Sequence, residues 1–263
     1  MWTLKFISKK DFKQHVKNTI AKYGDKLTPY DLKRFNNNIV DPVKLIFDKN
    51  IYNYSWDEII KNEIFRQRDK ANSNEIGYFH QKIFKYIKGC TVPERGWDVI
   101  VSSKDGLEVP ECGTVKTIYV EMKNKHNTMN SAASAKTYMK MQSQLLTDDD
   151  CACFLVEVIA KKSQNTAWTI SLDGERRRHK FIRRVSMDQF YKFITGEPDA
   201  FYKMCMALPE IIQEVASKSE NVKIPRDTVF EELENIAANN NGSFILALYM
   251  LGFAEYEGFK KCE

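Results

Sequence analysis

Eight consecutive residues, Cys153-Phe154-Leu155-Val156-Glu157-Val158-Ile159-Ala160, carry one charge among seven apolar side chains. The run reads as a strand, and because its apolar positions do not alternate, both of its faces are buried. A strand of that kind needs a layer packed on either side, and the rest of the chain must supply both.

The surrounding pattern does so. Residues 96–101 read as a short strand after a turn, and 102–113, polar with Gly and Pro, as a loop. Residues 117–123 alternate as a second strand, 132–146 have high helix propensity, and 167–172 form another strand. A helix between two neighbouring strands suits a crossover in a mixed sheet. Upstream, Phe12, Val16 and Ile20 recur at helical spacing with Asp11 as a cap, and Pro29 and Pro42 punctuate two shorter helices. Trp56, Ile59, Ile60 and Ile64 make a further stripe, and Ile76, Phe79, His80, Ile83, Phe84 and Ile87 another helix ending near Gly89. From Ser186 the chain is mostly helical, with Pro209 and Pro225 as breaks. The expected fold is α/β: a mixed central sheet with helical regions before and after it. Residues 1–73 form an N-terminal helical region packed on the core, 74–185 the core, and 186–263 a mostly helical C-terminal region.

Composition narrows the function classes. With 263 residues, 43% of them hydrophobic, the chain can build a sizeable core, which excludes a disordered polymer. The longest apolar run, 244–254, is well short of the roughly 20 residues a spanning helix needs, and the N-terminus has no apolar signal core. The expectation is a cytoplasmic protein with no membrane partner. Forty Lys and Arg against 35 Asp and Glu give +5, which permits an anionic partner held by local patches. The six cysteines include no Cys-X-X-Cys pair, so a structural zinc site is not expected.

The segment that carries chemistry is Tyr119-Val120-Glu121-Met122-Lys123. Alternate side chains of a strand share a face, which turns Ile118, Val120 and Met122 to the core and Glu121 with Lys123 to the other side. The preceding strand carries an isolated acid, Asp98, and the intervening length suits a hairpin. If the two strands pair, the carboxylates converge, and such a pair binds an oxygen-preferring divalent ion such as magnesium. The ion lowers the pKa of a bound water and stabilises charge on a phosphoryl oxygen, while Lys123 orients the water or offsets developing charge. Glu-X-Lys on a strand is also an ordinary solvated cross-strand pair. The metal reading therefore leans on Asp98, the hairpin-length spacing and the dense polar loop 124–130 that follows.

Asp98 followed by Glu121-Met122-Lys123 resembles the PD-(D/E)XK nuclease signature, with Trp97 where the signature has proline; Glu94 and Asp105 remain alternatives for the first acid. Three stretches resemble the type II restriction endonuclease family of the Eco-forty-seven-two type. They are Asn74-Glu75-Ile76-Gly77-Tyr78-Phe79-His80-Gln81, Val120-Glu121-Met122-Lys123-Asn124-Lys125-His126-Asn127-Thr128-Met129-Asn130, and Leu155-Val156-Glu157-Val158-Ile159-Ala160-Lys161-Lys162. The resemblance runs from about residue 10 to residue 210. It implies the PD-(D/E)XK core and magnesium-dependent double-strand cleavage of DNA at a short palindrome, GGNCC or a close relative. Asp98 and Glu121 are then the metal (Mg2+) ligands and Lys123 the catalytic lysine. A companion DNA methyltransferase, encoded elsewhere in a prokaryotic cell, is implied as well. A symmetric target cut on both strands predicts a two-fold homodimer. Nucleases of this fold often place a further acid where Glu75 stands; a first-turn acid favoured by the helix dipole is the equal alternative.

DNA recognition requires groups that hold phosphates and groups that read base edges. The loop leaving the second strand offers Asn124, Lys125, His126, Asn127, Thr128 and Asn130, and Ser131, Ser134 and Lys136 continue onto the next helix. The same residue types also suit a helix-capping loop. A second patch, Arg176, Arg177 and Arg178 with Arg183 and Arg184 nearby, grips phosphates or forms a solvated turn. Arg66, Arg68 and Lys70 make a third. His80, within an apolar helix, reads as a hydrogen-bonded core residue. Two other functions stay in view: a nuclease of the same core without sequence specificity, and a DNA-binding module whose acidic pair is structural.

Overall fold

The structure is a computed structural model and describes residues 2–26, 28–126, 128–172, 174–217, 226–253 and 256. In chain order its elements are α1 (Lys9–Lys26), α2 (Leu32–Asn36), α3 (Pro42–Tyr52), α4 (Trp56–Lys82), a 3-10 turn (Ile83–Tyr86), β1 (Cys90–Thr91), β2 (Val99–Val109), β3 (Gly113–Lys125), α5 (Ser131–Thr147), β4 (Cys151–Ile159), β5 (Asn165–Leu172), β6 (Glu175–Ser186), α6 (Met187–Thr195), α7 (Ala200–Ala216), α8 (Val229–Asn239) and α9 (Phe244–Gly252). Among the described residues no helix is long and apolar enough to cross a membrane.

The strands form one mixed sheet in the order β1-β2-β3-β4-β6-β5. β4 pairs in parallel with both β3 and β6, and the remaining pairs are antiparallel. The α/β architecture expected from the pattern is therefore present, with α5 as the crossover between β3 and β4. β4 explains its own unbroken apolar run. Ala152, Phe154 and Val156 enter one apolar cluster with Ile118, Val120, Phe84 and Phe190. Cys153 and Leu155 enter the other, with Tyr138 and Met141 of α5 and Trp168 of β5.

The residues group into two compact units, Met1–Ile20 with Glu75–Ser219 and Ala21–Asn74 with Glu220–Glu263. The sheet and both clusters belong to the first. The second has its own core, in which Phe35, Leu45, Ile60, Leu233 and Leu248 are buried.

Several local expectations are revised. The cap of α1 is Ser8, whose Oγ accepts from the Asp11 N–H at 3.1 Å, so Asp11 lies in the first turn. The stripes around Ile59 and Phe79 lie on one helix, α4. It is opened by a capping box in which the Ser55 N–H donates to the Glu58 carboxylate at 2.8 Å and the Glu58 N–H to Ser55 Oγ at 3.3 Å. Segment 102–113 is not a loop but the outer part of the β2–β3 hairpin, paired as far as Val109 and Gly113, with a register break between Ser102 and Leu107. Its polar sequence reflects a bulge, where Gly106 has φ +86° and a Cβ would stand 2.2 Å from Thr114 Cγ2. The arginine-rich segment is a strand, β6, and not a turn. Pro209 lies inside α7 rather than breaking it, because burial of Ala200, Met204 and Ile211 on that helix outweighs one lost backbone bond. Pro225 and Asn127 lie outside the described residues.

Candidate active site

Strand register brings the first acid to the second. The Asp98 N–H donates to the Val120 carbonyl at 3.0 Å, and Val99 pairs with Val120. Asp98 thus sits immediately before β2, inside the span 96–101 that the sequence pattern marks as strand, beside Val120–Met122 of β3, and its Oδ2 accepts from the Met122 N–H at 2.7 Å. Ile118, Val120 and Met122 are buried in the core, as the alternation predicts. Glu121 and Lys123 emerge on the opposite face, their side chains 18% and 30% exposed. Lys123 Nζ donates to Glu121 Oε1 at 2.9 Å.

The two carboxylates are tuned in opposite directions. Burial pushes Asp98 up, and the neighbouring Glu121 charge adds to this against the Met122 N–H. Burial also acts to raise Glu121, but the ion pairs with Lys140 and Lys123 outweigh it and hold the carboxyl below its ordinary range.

Lys140 is the residue that the sequence pattern does not mark. From α5 its Nζ donates to Glu121 Oε2 at 2.8 Å and to the Gly96 carbonyl at 2.5 Å, and it lies 4.0 Å from the centre of the Trp97 ring. The Trp97 indole N–H in turn donates to Gln144 Oε1 of α5 at 3.3 Å. Two residues one helical turn apart therefore hold the turn that carries Asp98. The only signal in the sequence is that 4-residue spacing, which most solvated helices share.

The same face of the sheet continues with a second polar group. Lys123 is in register with Glu157 of β4, a carboxylate only 1% exposed. Arg184 of β6 pairs with Glu157. His126 Nδ1 lies 3.1 Å from both Glu157 oxygens and 2.6 Å from Arg184 Nη2. Burial opposes ionisation of Glu157, but Arg184 and His126 hold it below the usual carboxylate range. Lys123, Lys125, Thr128, Ser134, Glu157 and Arg184 line a cavity of about 60 Å³ there.

The other expected contacts divide. Asn124 and Lys125 end β3. Thr128 Oγ1 donates to the Lys125 carbonyl at 2.9 Å, and Asn130 caps α5 by accepting from the Ala133 N–H at 2.8 Å. Ser131 and Lys136 are exposed, while Ser134 is half-buried. Arg176, Arg177 and Arg178 are exposed on β6, opposite Ser171, Ile170 and Thr169 of β5. They precede Arg184 by six to eight residues, which is roughly 20–26 Å along a strand; the fold does not bring them to Glu121. Arg183 is not available to a phosphate: it is fully buried and donates to Asn165 Oδ1 and to the Asn165 carbonyl, each at 2.6 Å. Arg66 and Arg68 are likewise paired, with Glu63 and Asp227. Glu75 stands well inside α4, which removes the first-turn reading of that acid. His80 Nδ1 is buried without a hydrogen-bond partner, contrary to the satisfied core histidine expected.

The donor set suits an oxygen-preferring ion. Asp98 and Glu121 are both carboxylates, and among the described residues no third His, Cys, Asp or Glu completes a cluster with them. Magnesium commonly uses one or two carboxylates and takes water and substrate phosphate for the rest.

Comparison with known proteins gives the same direction. The Eco47II restriction endonuclease family profile matches residues 4–217. The type II restriction enzyme Sau96I of Staphylococcus aureus is 30% identical over 246 residues, covering 90% of each chain. The type II restriction enzyme Eco47II of Escherichia coli is 28% identical over 228 residues, covering 83% of this chain and 90% of its own. Matched along most of its length and carrying Glu121 and Lys123 on β3 with Asp98 just before the paired β2, the chain is an enzyme that belongs to the Eco47II restriction endonuclease family.

Proposed function

We propose that this enzyme makes magnesium-dependent double-strand cuts in DNA at a short palindrome, GGNCC or a close relative. It hydrolyses the phosphodiester with Asp98 and Glu121 as metal ligands and Lys123 as the catalytic lysine. The observation that carries the reading is the convergence of Asp98 with Glu121 and Lys123 at one end of paired strands, inside a chain of this family. The target rests on the family resemblance, as does the companion methyltransferase. Two-fold symmetry of the target supports action as a homodimer, one site for each strand.

Asp98 and Glu121 would hold magnesium, which when bound would supply positive charge for a phosphoryl oxygen and lower the pKa of a water. The protein's part is to place charges. The Met122 N–H fixes the Asp98 carboxylate, and β3 fixes Glu121, so neither reorganises as charge develops. The Lys123 ammonium, partly exposed beside Glu121, orients the attacking water and offsets negative charge on the phosphoryl group. Lys125, Thr128 and Ser134, which line one cavity with Lys123, would hold the flanking phosphates. Arg176–Arg178 meet DNA farther off, and Glu75 stays a proposed additional acid.

Digestion of a long unmethylated plasmid tests this, with and without magnesium, for the wild type and Lys123→Ala. Discrete bands that require magnesium are expected, with cleavage reduced about 100-fold or more in Lys123→Ala. A smear would favour the non-specific nuclease. Retained DNA binding with no cleavage under any divalent ion would favour the binding module.

A further inference from the structure

Glu121 accepts an ammonium on each oxygen, and the two ammoniums have different origins. Lys123 belongs to the motif strand. Lys140 comes from α5 and is held at Glu121 Oε2 by two further contacts, the Gly96 carbonyl and the Trp97 ring. Its side chain is 37% exposed, so water can reach it and it has room to move outward. A divalent ion on Glu121 and the Lys140 ammonium 2.8 Å from the same carboxylate repel strongly at this depth, and both cannot keep their best positions.

We propose that Lys140 is the counter-ion of Glu121 in the metal-free enzyme: it yields that oxygen when the divalent cation binds, and through Gly96 and Trp97 it positions the turn that carries Asp98. The inference rests on the magnesium site read above for Asp98 and Glu121. It makes Lys140 a positioning residue with two opposed effects. Held on Glu121 it competes with the cation; held on Gly96 and Trp97 it helps keep the first acid in register, the smaller effect, because without Lys140 the Asp98 backbone and carboxylate keep Val120 and Met122 and Trp97 keeps Gln144. Formal charges on Asp98, Glu121, Lys123 and Lys140 sum to zero, so the divalent ion enters a neutral site and the phosphate then meets its excess positive charge.

The test is Mn2+ binding to the full chain without DNA, followed by electron paramagnetic resonance, for the wild type, Lys140→Met, Lys140→Arg and Glu121→Gln. Lys140→Met should bind Mn2+ roughly tenfold more tightly than wild type, since one competing charge is gone. Lys140→Arg should stay near wild type. A purely structural lysine would do the opposite, because losing it would loosen the site and weaken binding. Mn2+ affinity in Lys140→Met equal to or below wild type overturns the proposal. Glu121→Gln is expected to lose the ion; if it binds like the wild type, the metal-site reading itself fails, which is a separate result. Should Lys140→Met not fold, as judged by circular dichroism, Lys140→Gln replaces it under the same criterion.

Discussion

His15 is buried and His80 half-buried, and both have pKa values lowered from 6.5 to about 4, chiefly by desolvation, which favours the neutral ring. His15 donates its Nε2–H to the Phe79 carbonyl at 2.9 Å. Between pH 4 and 6.5 the unfolded chain therefore binds more protons than the folded one. Stability rises with pH across that window, is complete above 6.5, and falls as pH drops toward 4. Glu121 and Glu157, held below their ordinary value of 4.5, add to the loss only under that value. Urea midpoints measured from pH 7 to pH 4 should show the decline, and a His15→Gln, His80→Gln double variant should flatten it; an unchanged slope would assign it to other groups. At this scale the sequence made Glu121 and Lys123 legible, because strand alternation alone dictates that they share a face. Lys140 and Glu157 were not legible as site residues, and Arg184 was legible only as a neighbour of the arginine patch. A lysine on a helix or an arginine on a strand acquires its meaning only from register, here Glu121 against Leu155 and Leu155 against Arg184.

α5 begins at the loop expected to touch DNA, and Asn130 serves it as N-cap. Capping and DNA contact make different demands on that residue. Asn130→Ala should cost about 1 kcal/mol of stability, whereas Asn130→Asp keeps the accepting oxygen and should cost little. Urea unfolding measures the first effect. DNA affinity of the well-folded Asn130→Asp variant isolates the second, and affinity unchanged from wild type would leave the residue a cap alone. The elements themselves were legible where burial enforces a period. β3 and β4 are examples, and so is α5, where Tyr138 and Met141 face the sheet. They were illegible where the strand is solvated. Residues 102–109 and 175–181 each run into a register break and expose half or more of their residues, so no alternation of polarity marks them as strands.

The assembly of the whole molecule was the least legible level, since each compact unit joins segments far apart in the chain and no single stretch records that union. Its proposed two-fold partner is a second copy. Sedimentation equilibrium should return twice the 30.7 kDa of one chain; a monomer mass at micromolar concentration would require DNA to bring the copies together. The balanced charges around Glu121 also bear on how substrate arrives. An electrically neutral quartet projects almost no field beyond one Debye length, about 8 Å at physiological ionic strength. Before a divalent ion binds, the proposed centre would therefore do little to draw the polyanion from a distance. In that state long-range steering would fall to outlying cations such as Arg176 and Arg178, exposed on β6, so that one set of residues would govern encounter and another the proposed chemistry.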